Sequence, residues 1–304
     1  MIDTTIQDQL SQPEEKDSNI RVALLVEYCG QNFKGSQYQP EQPTVQAAMQ
    51  EALGQLGLKT SAVTFASRTD SGVHALGQVA HFDVREEALS RIPKLACALN
   101  AVLPEAVSVR AVHENIGRHF HSRRDAAAKW YRYKIYNSIS RSVWAQKTGA
   151  TLYRPQLDAN LMSQAASLIT GEHDFKSFKD VDTDVVNDVC HIYHCKVSQD
   201  GEFIILDIAA NRFLYKMIRN IVGQLMTIGK VSKPLPPDTI LKVLAERDRR
   251  KASHAAPAEG LTLMAVQHKA PFNLFESDVY VQQFKNILKP MESLQNENLF
   301  RKAS

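Results

Sequence analysis

Asp70 lies in the run Arg68-Thr69-Asp70-Ser71-Gly72-Val73-His74, where a carboxylate, an arginine and a histidine share one short stretch. A carboxylate so placed could act alone as a nucleophile, or as half of a pair sharing one proton, since Asp-Ser-Gly is also the signature of aspartic proteases. The protease needs two such carboxylates. This chain has one Asp-Ser-Gly, with Arg68 beside it, so only a half-site in a homodimer would serve that chemistry. Asp-Ser-Gly is also a common turn in which the aspartate satisfies nearby backbone donors, and taken alone that structural reading is favoured.

Two other stretches invite a chemical reading. Cys190-His191-Ile192-Tyr193-His194-Cys195 holds four potential zinc ligands in six residues. Its β-branched and aromatic neighbours predict a strand, however, with Cys190 and His194 on one face and His191 and Cys195 on the other, so the ligands diverge and no metal is expected. Between Arg118 and Lys134, the basic residues Arg118, Arg123, Arg124, Lys129, Arg132 and Lys134 face one acid, Asp125. Phe120, Trp130, Tyr131 and Tyr133 are interleaved with them, a mixture suited to phosphates and unstacked bases, or to a solvated strand edge with ordinary core aromatics. The cluster Arg247-Asp248-Arg249-Arg250-Lys251 is ambiguous in the same way.

The elements that must position these residues follow from periodicity. Residues 21–28 (RVALLVEY) read as a buried strand. Thr44 can cap a helix whose Val45, Ala48, Ala52 and Leu56 recur at helical spacing until Gly57. Residues 63–66 form a short apolar strand running into the Arg68–Gly72 stretch, so Asp70 is expected on a loop leaving a strand. Strands are predicted at 78–84 and 106–113, with a helical stretch holding Ile92, Leu95, Ala96 and Leu99 between them. A basic connector at 121–129 leads to a strand at 130–137, and a helix at 161–170 is closed by Gly171. Asp200-Gly201 predicts a hairpin between strands at 189–197 and 203–209. In 214–228 the stripe Met217, Ile218, Ile221, Val222 and Leu225 marks an amphipathic helix, with Lys216, Arg219 and Asn220 pointing elsewhere. A helix at 238–247 and a strand at 261–267 follow, and 281–288 is either a short amphipathic helix packed on the body or a partner, or a loosely ordered segment.

This pattern predicts an α+β protein of two α/β-sandwich-like domains, ferredoxin- or RRM-like, whose mostly antiparallel sheets meet at a central basic cleft. The expected divisions are a polar tail at 1–20, a domain at 21–120 carrying the Asp70 loop, a domain at 121–270 carrying Tyr131 and Arg219, and an extension at 271–304. The length of 304 residues suits two domains. Hydrophobic residues at 44% and charged residues at 23% match an ordinary soluble protein and argue against a membrane protein. The net charge of +3 is too small to identify a polyanionic partner without the local clusters. The first twenty residues, acidic and without an apolar run, resemble neither a secretory signal nor a transit peptide. Four scattered cysteines fit a reducing, cytoplasmic setting better than a disulfide scaffold. No glycine-rich phosphate loop follows the first strand, so no nucleotide cofactor is indicated.

The wider context of Asp70 is more specific than its turn. Arg68 through Ala75, then Gly77-Gln78-Val79-Ala80-His81-Phe82, resembles the catalytic stretch of the tRNA pseudouridine synthase A (TruA-type) family. Further blocks agree in order: Tyr28, Gly30, Phe33, Gly35, Gln37 and Gln39; Phe120-His121-Ser122-Arg123 with Lys129-Trp130-Tyr131-Arg132-Tyr133; Gly171-Glu172-His173-Asp174-Phe175; and Asn211-Arg212-Phe213-Leu214-Tyr215-Lys216-Met217-Ile218-Arg219-Asn220-Ile221-Val222-Gly223. The likeness covers roughly residues 21–270.

It implies a homodimer that isomerises uridine to pseudouridine in the tRNA anticodon arm, around positions 38–40, without metal or cofactor. By the same resemblance, Asp70 is the nucleophile, Arg219 its counter-ion, and Tyr131 stacks on the target uracil and joins the proton transfer. Arg68 fills the space left by the flipped base, and Arg123, Arg124, Lys129 and Lys216 face the RNA. The chain departs from the family pattern at Ser36, usually tryptophan, at Cys29, usually aspartate, at Ser71, usually alanine, and at Arg124-Asp125, which interrupt a commonly apolar stretch. An RNA-binding module whose catalysis has lapsed is the alternative.

Overall fold

The computed structural model describes residues 19–154, 156–180 and 187–289, apart from the side chains of 151–153. Most of the expected tail, residues 1–18, and the end of the extension beyond 289 lie outside these residues. The strands are β1 (Asn19–Tyr28), β2 (Thr64–Phe65), β3 (His74–Arg85), β4 (Val107–His113), β5 (Ala126–Asn137), β6 (Thr151–Tyr153), β7 (Gly171–Asp174), β8 (Val189–Asp200), β9 (Phe203–Ala210) and β10 (Leu261–His268). The helices are α1 (Val45–Gln55), α2 (Glu86–Ser90), α3 (Leu95–Val102), α4 (Val143–Lys147), α5 (Ala159–Ser167), α6 (Met217–Ile228), α7 (Thr239–Glu246) and α8 (279–289). Thr44 caps α1 as expected, its hydroxyl accepting from the Ala47 amide at 3.2 Å. The Asp200-Gly201 hairpin joins β8 to β9.

All the described strands belong to one mixed, mostly antiparallel sheet in the order β4-β1-β3-β10-β5-β9-β8-β7, with β2 beside β3 and β6 beside β5. The strand that closes the sequence pattern, β10, lies at its centre. It pairs parallel with β3 through Thr262 and Leu263 and antiparallel with β5 from Leu261 to His268. Gly77 makes the first contact possible: a Cβ there would lie 2.3 Å from the Met264 carbonyl oxygen. The pairing of His268 with Ala126 also explains why β5 begins at Ala126, inside the stretch expected to be a connector.

Alternation along β5 sorts its side chains. Tyr131, Tyr133 and Ile135 enter the main core with residues of α1, α5 and α6, while Ala128 and Trp130 enter a smaller core on the opposite face. That smaller core is closed by α8. Val281, Phe284 and Leu288 pack there with Trp130, Met264 and Ala265, so the stretch expected at 281–288 is a helix seated on the body. Its start is fixed twice over, by Asp278 accepting from the Tyr280 amide at 2.9 Å and by an Arg110–Asp278 ion pair of 2.5 Å.

One facing prediction is corrected. A register shift in β8 between Ile192 and His194 inserts an extra residue, so Cys190 and Cys195 point into the same core instead of opposite faces. Both are free thiols, and burial pushes Cys195 up to about 12. Among the described residues, no group of three or more His, Cys, Asp or Glu side chains is arranged to hold a metal ion.

Candidate active site

Residues 66–73 carry the chain from β2 to β3, and the turn expected there forms, with the Val73 amide donating to the Asp70 carbonyl at 3.1 Å. The loop is fastened before and after the aspartate. Ser36 grips Thr69 from both sides: its hydroxyl accepts from the Thr69 amide at 2.9 Å and its own amide donates to the Thr69 carbonyl at 3.0 Å. Ser71 donates to the Phe33 carbonyl at 3.2 Å. Two of the noted departures thus hold the loop in place. Cys29 is exposed.

A buried amide secures the loop from beneath. The Gln78 side chain, 0% exposed, accepts from the Ser67 amide at 3.1 Å and donates to the Ser67 carbonyl at 2.7 Å, as a neighbouring strand would. It also donates to the Tyr28 hydroxyl at 3.2 Å. The Tyr28 hydroxyl is in turn hydrogen-bonded to the Thr69 hydroxyl at 2.8 Å. Sequence reasoning gave Ser67, Thr69 and Tyr28 no site role. The available signal was Gln78 itself, an amide at an interior position of a strand otherwise rich in apolar residues.

Opposite the loop stands Arg219, in the first turn of α6. Its Nη1 lies 3.1 Å from Asp70 Oδ2, and its Nε donates to the Ala256 carbonyl at 2.8 Å. The Ala256 amide in turn donates to the Arg219 carbonyl at 2.9 Å. This close docking requires Gly223 one turn later, where a Cβ would lie 1.9 Å from the His254 carbonyl oxygen. Asn220, fully buried, donates to the Phe178 carbonyl at 2.7 Å and accepts from Arg249 at 2.8 Å. The arginine is therefore held at two points, by the carboxylate and by a backbone carbonyl. The pair keeps some exposure, 17% for the Arg219 side chain and 24% for Asp70.

Tyr131 reaches the same loop by another route. Its hydroxyl is 2.8 Å from that of Ser67, three residues before Asp70, and Phe213 stands edge-on to its ring at 5.3 Å. Burial raises the phenol's pKa, and the Ser67 hydrogen bond opposes that rise. Tyr133 is buried in the core and donates to the Pro257 carbonyl at 2.8 Å.

The other expected contacts are more dispersed. Arg68 is exposed on the Asp70 loop, and Arg123 and Arg124 are exposed on the turn before β5. That turn is tied to β2 by the Ser122 hydroxyl, which donates to the Thr64 carbonyl at 2.8 Å. Lys129 is half-buried, and burial, with repulsion from Arg123, pushes its ammonium down to about 8. Lys216, expected to be a surface cation, is paired with Asp180 at 2.5 Å and lies 4.9 Å from the centre of the Tyr215 ring.

Comparison with known proteins decides what this arrangement belongs to. The family model for tRNA pseudouridine synthase matches residues 24–123 and 165–269, more than half of the chain. The chain belongs to the tRNA pseudouridine synthase family. A tRNA pseudouridine synthase A of Vibrio cholerae is 36% identical over 260 residues, which cover 86% of this chain and 96% of the relative. Those of Cronobacter sakazakii and Salmonella typhimurium are 39% and 38% identical, covering 84% and 86% of this chain and 92% and 94% of theirs. The two segments that match the tRNA pseudouridine synthase model contain Asp70 and Arg219, while Tyr131 falls between them and α8 lies beyond the second.

Proposed function

We propose that this protein isomerises uridine to pseudouridine in the anticodon arm of tRNA, around positions 38–40, with Asp70 as the nucleophile. The observation that carries this reading is the Asp70–Arg219 pair at 3.1 Å, a carboxylate on a braced loop with a fixed cation and remaining access to solvent. Asp70 attacks C1′ of the target nucleotide, and the bond from C1′ to N1 breaks with its electron pair leaving on the uracil. The uracil turns, C5 attacks C1′, and the carboxylate departs. Loss of the C5 proton and protonation at N1 complete the isomerisation, so atoms and charge balance without an oxidant, a reductant or a metal.

Tyr131 suits the proton step, since its ring is wedged by Phe213 and its hydroxyl is anchored. A base in a stem must leave the stack to reach Asp70, and Arg68, exposed two residues before the aspartate, fills the space it leaves. The reading includes a cytoplasmic homodimer, with RNA lying along a basic cleft where the halves 21–120 and 121–270 meet. Arg123, Arg124 and Lys129 meet its phosphates, and Lys216 joins them on leaving Asp180.

The test is to map pseudouridine in tRNA from cells lacking this protein and from the same cells with it restored. Loss and return of pseudouridine around positions 38–40 is expected. Unchanged tRNA would overturn the reading, and purified protein that binds tRNA without modifying it would leave only an RNA-binding module.

A further inference from the structure

We infer that Ser67 is a positioning residue for Tyr131, fixing where the phenol oxygen stands relative to the Asp70 carboxylate; this rests on the function proposed above. Among the described residues, Ser67 is the one hydrogen-bond partner of the Tyr131 hydroxyl, at 2.8 Å. Both residues are buried, at 6% and 5% exposure, so water does not readily replace either partner. A buried hydroxyl that loses its partner pays a desolvation cost, which makes this contact a strong constraint on the ring.

The constraint has direction because Ser67 cannot drift. The Gln78 amide binds its backbone on both sides, at 3.1 and 2.7 Å, and Gln78 belongs to the interior of β3. Ser67 and Asp70 are three residues apart on one loop, whereas Tyr131 and Arg219 come from the other half of the chain. Two contacts therefore span the halves at this loop: Arg219 meets the carboxylate, and Ser67 meets the phenol. The first sets the charge at Asp70. The second sets the height of Tyr131 above it, and with it the position of the oxygen that exchanges a proton with the uracil. A hydroxyl at this point also stabilises the phenolate form that burial opposes.

The experiment measures single-turnover tritium release from tRNA labelled at uridine C5, with tRNA affinity and melting temperature followed in parallel. Ser67→Ala and Ser67→Gly both lack the hydroxyl but differ in bulk. Each is expected to slow release about tenfold with tRNA affinity within about twofold. Ser67→Thr, which keeps the hydroxyl, is expected to recover most of the rate. The inference is overturned if Ala and Gly leave the rate unchanged, if they weaken tRNA affinity as much as they slow release, or if all three variants slow equally, the mark of a merely structural role. Unmutated protein that releases no tritium overturns the functional reading and this inference together. Active unmutated protein with an insensitive Ser67 overturns the inference alone.

Discussion

The Asp70 loop and the corner where His81, Ser122 and His268 meet are both hydrogen-bonded polar clusters on the same sheet, yet they treat charge in opposite ways. At the loop, an aspartate and an arginine face each other and keep partial contact with solvent. At the corner, two histidines are 5% and 6% exposed, and burial pushes each down to about 4. His81 Nδ1 lies 2.8 Å from the Ser122 hydroxyl oxygen, and His268 Nε2 donates to the Ser122 carbonyl at 2.9 Å. Phe120 sits edge-on against both rings. In the fold both rings are neutral fixtures. What distinguishes the Asp70 cluster is charge that is fixed and still reachable.

The largest expected effect strikes that distinction directly. Asp70→Asn keeps the shape and an oxygen facing Arg219 but removes the proposed nucleophile, so tritium release should fall more than about a thousandfold. Melting temperature and tRNA affinity should stay close to those of the unmutated protein. Asparagine with near-normal turnover would mean that this cluster, like the histidine corner, serves structure alone.

The positions of these clusters were unequally legible in the sequence. Local pattern was enough for the Thr44-capped helix, the Asp200-Gly201 hairpin, the α6 stripe and the placement of Asp70 on a loop leaving a strand, because each depends on residues a few positions apart. The central position of β10 depends on pairing Leu263 with both Ala75 and Tyr131, contacts between distant parts of the chain that periodicity does not encode. Cys195 was assigned the wrong face because one inserted residue in β8 reverses the alternation. The Asp70–Arg219 contact followed from family resemblance. Ser67 escaped notice because a serine before an arginine carries no signal until Gln78 and Tyr131 are brought around it.

Arg219 comes next in magnitude. Arg219→Ala removes both the cation at Asp70 and the bond to the Ala256 carbonyl, and a fall of about a hundredfold in kcat is expected. Arg219→Lys restores charge without the two-point hold, so only part of the rate should return. Full rescue by lysine would show that charge alone matters and that the Ala256 contact is incidental.

The histidine corner should answer to acid instead of to substrate. Its folded pKa values of about 4 lie below the ordinary value of 6.5, so the unfolded chain takes up protons first as pH falls. The stabilisation is complete above about pH 6.5 and is lost on descending toward pH 4; at pH 5.5 the loss is about 1.4 kcal/mol per histidine. Denaturant midpoints measured from pH 7.5 to pH 5 should record it. His81→Asn and His268→Gln, which replace the bonded ring nitrogens with amide atoms that do not titrate, should flatten the decline. An unchanged slope would mean that other groups govern acid stability.

The smallest effect expected is at Arg123 and Arg124, and it tests whether the two clusters are separate at all. Both side chains are exposed on the turn before β5, where phosphate contacts are screened by salt. Replacing either with alanine should weaken tRNA binding a few-fold at low salt and lower the salt slope by roughly one, leaving the rate at saturating tRNA unchanged. The same turn carries Ser122, whose hydroxyl is bonded to Thr64 at the start of the strand that feeds the Asp70 loop, and which also meets both histidines. If the arginine variants lower kcat as well as affinity, RNA bound at this turn acts on the Asp70 loop through Ser122 and β2. The histidine corner would then be the link between phosphate binding and the reactive loop, and the contrast between the two clusters would be one of function within a single coupled unit.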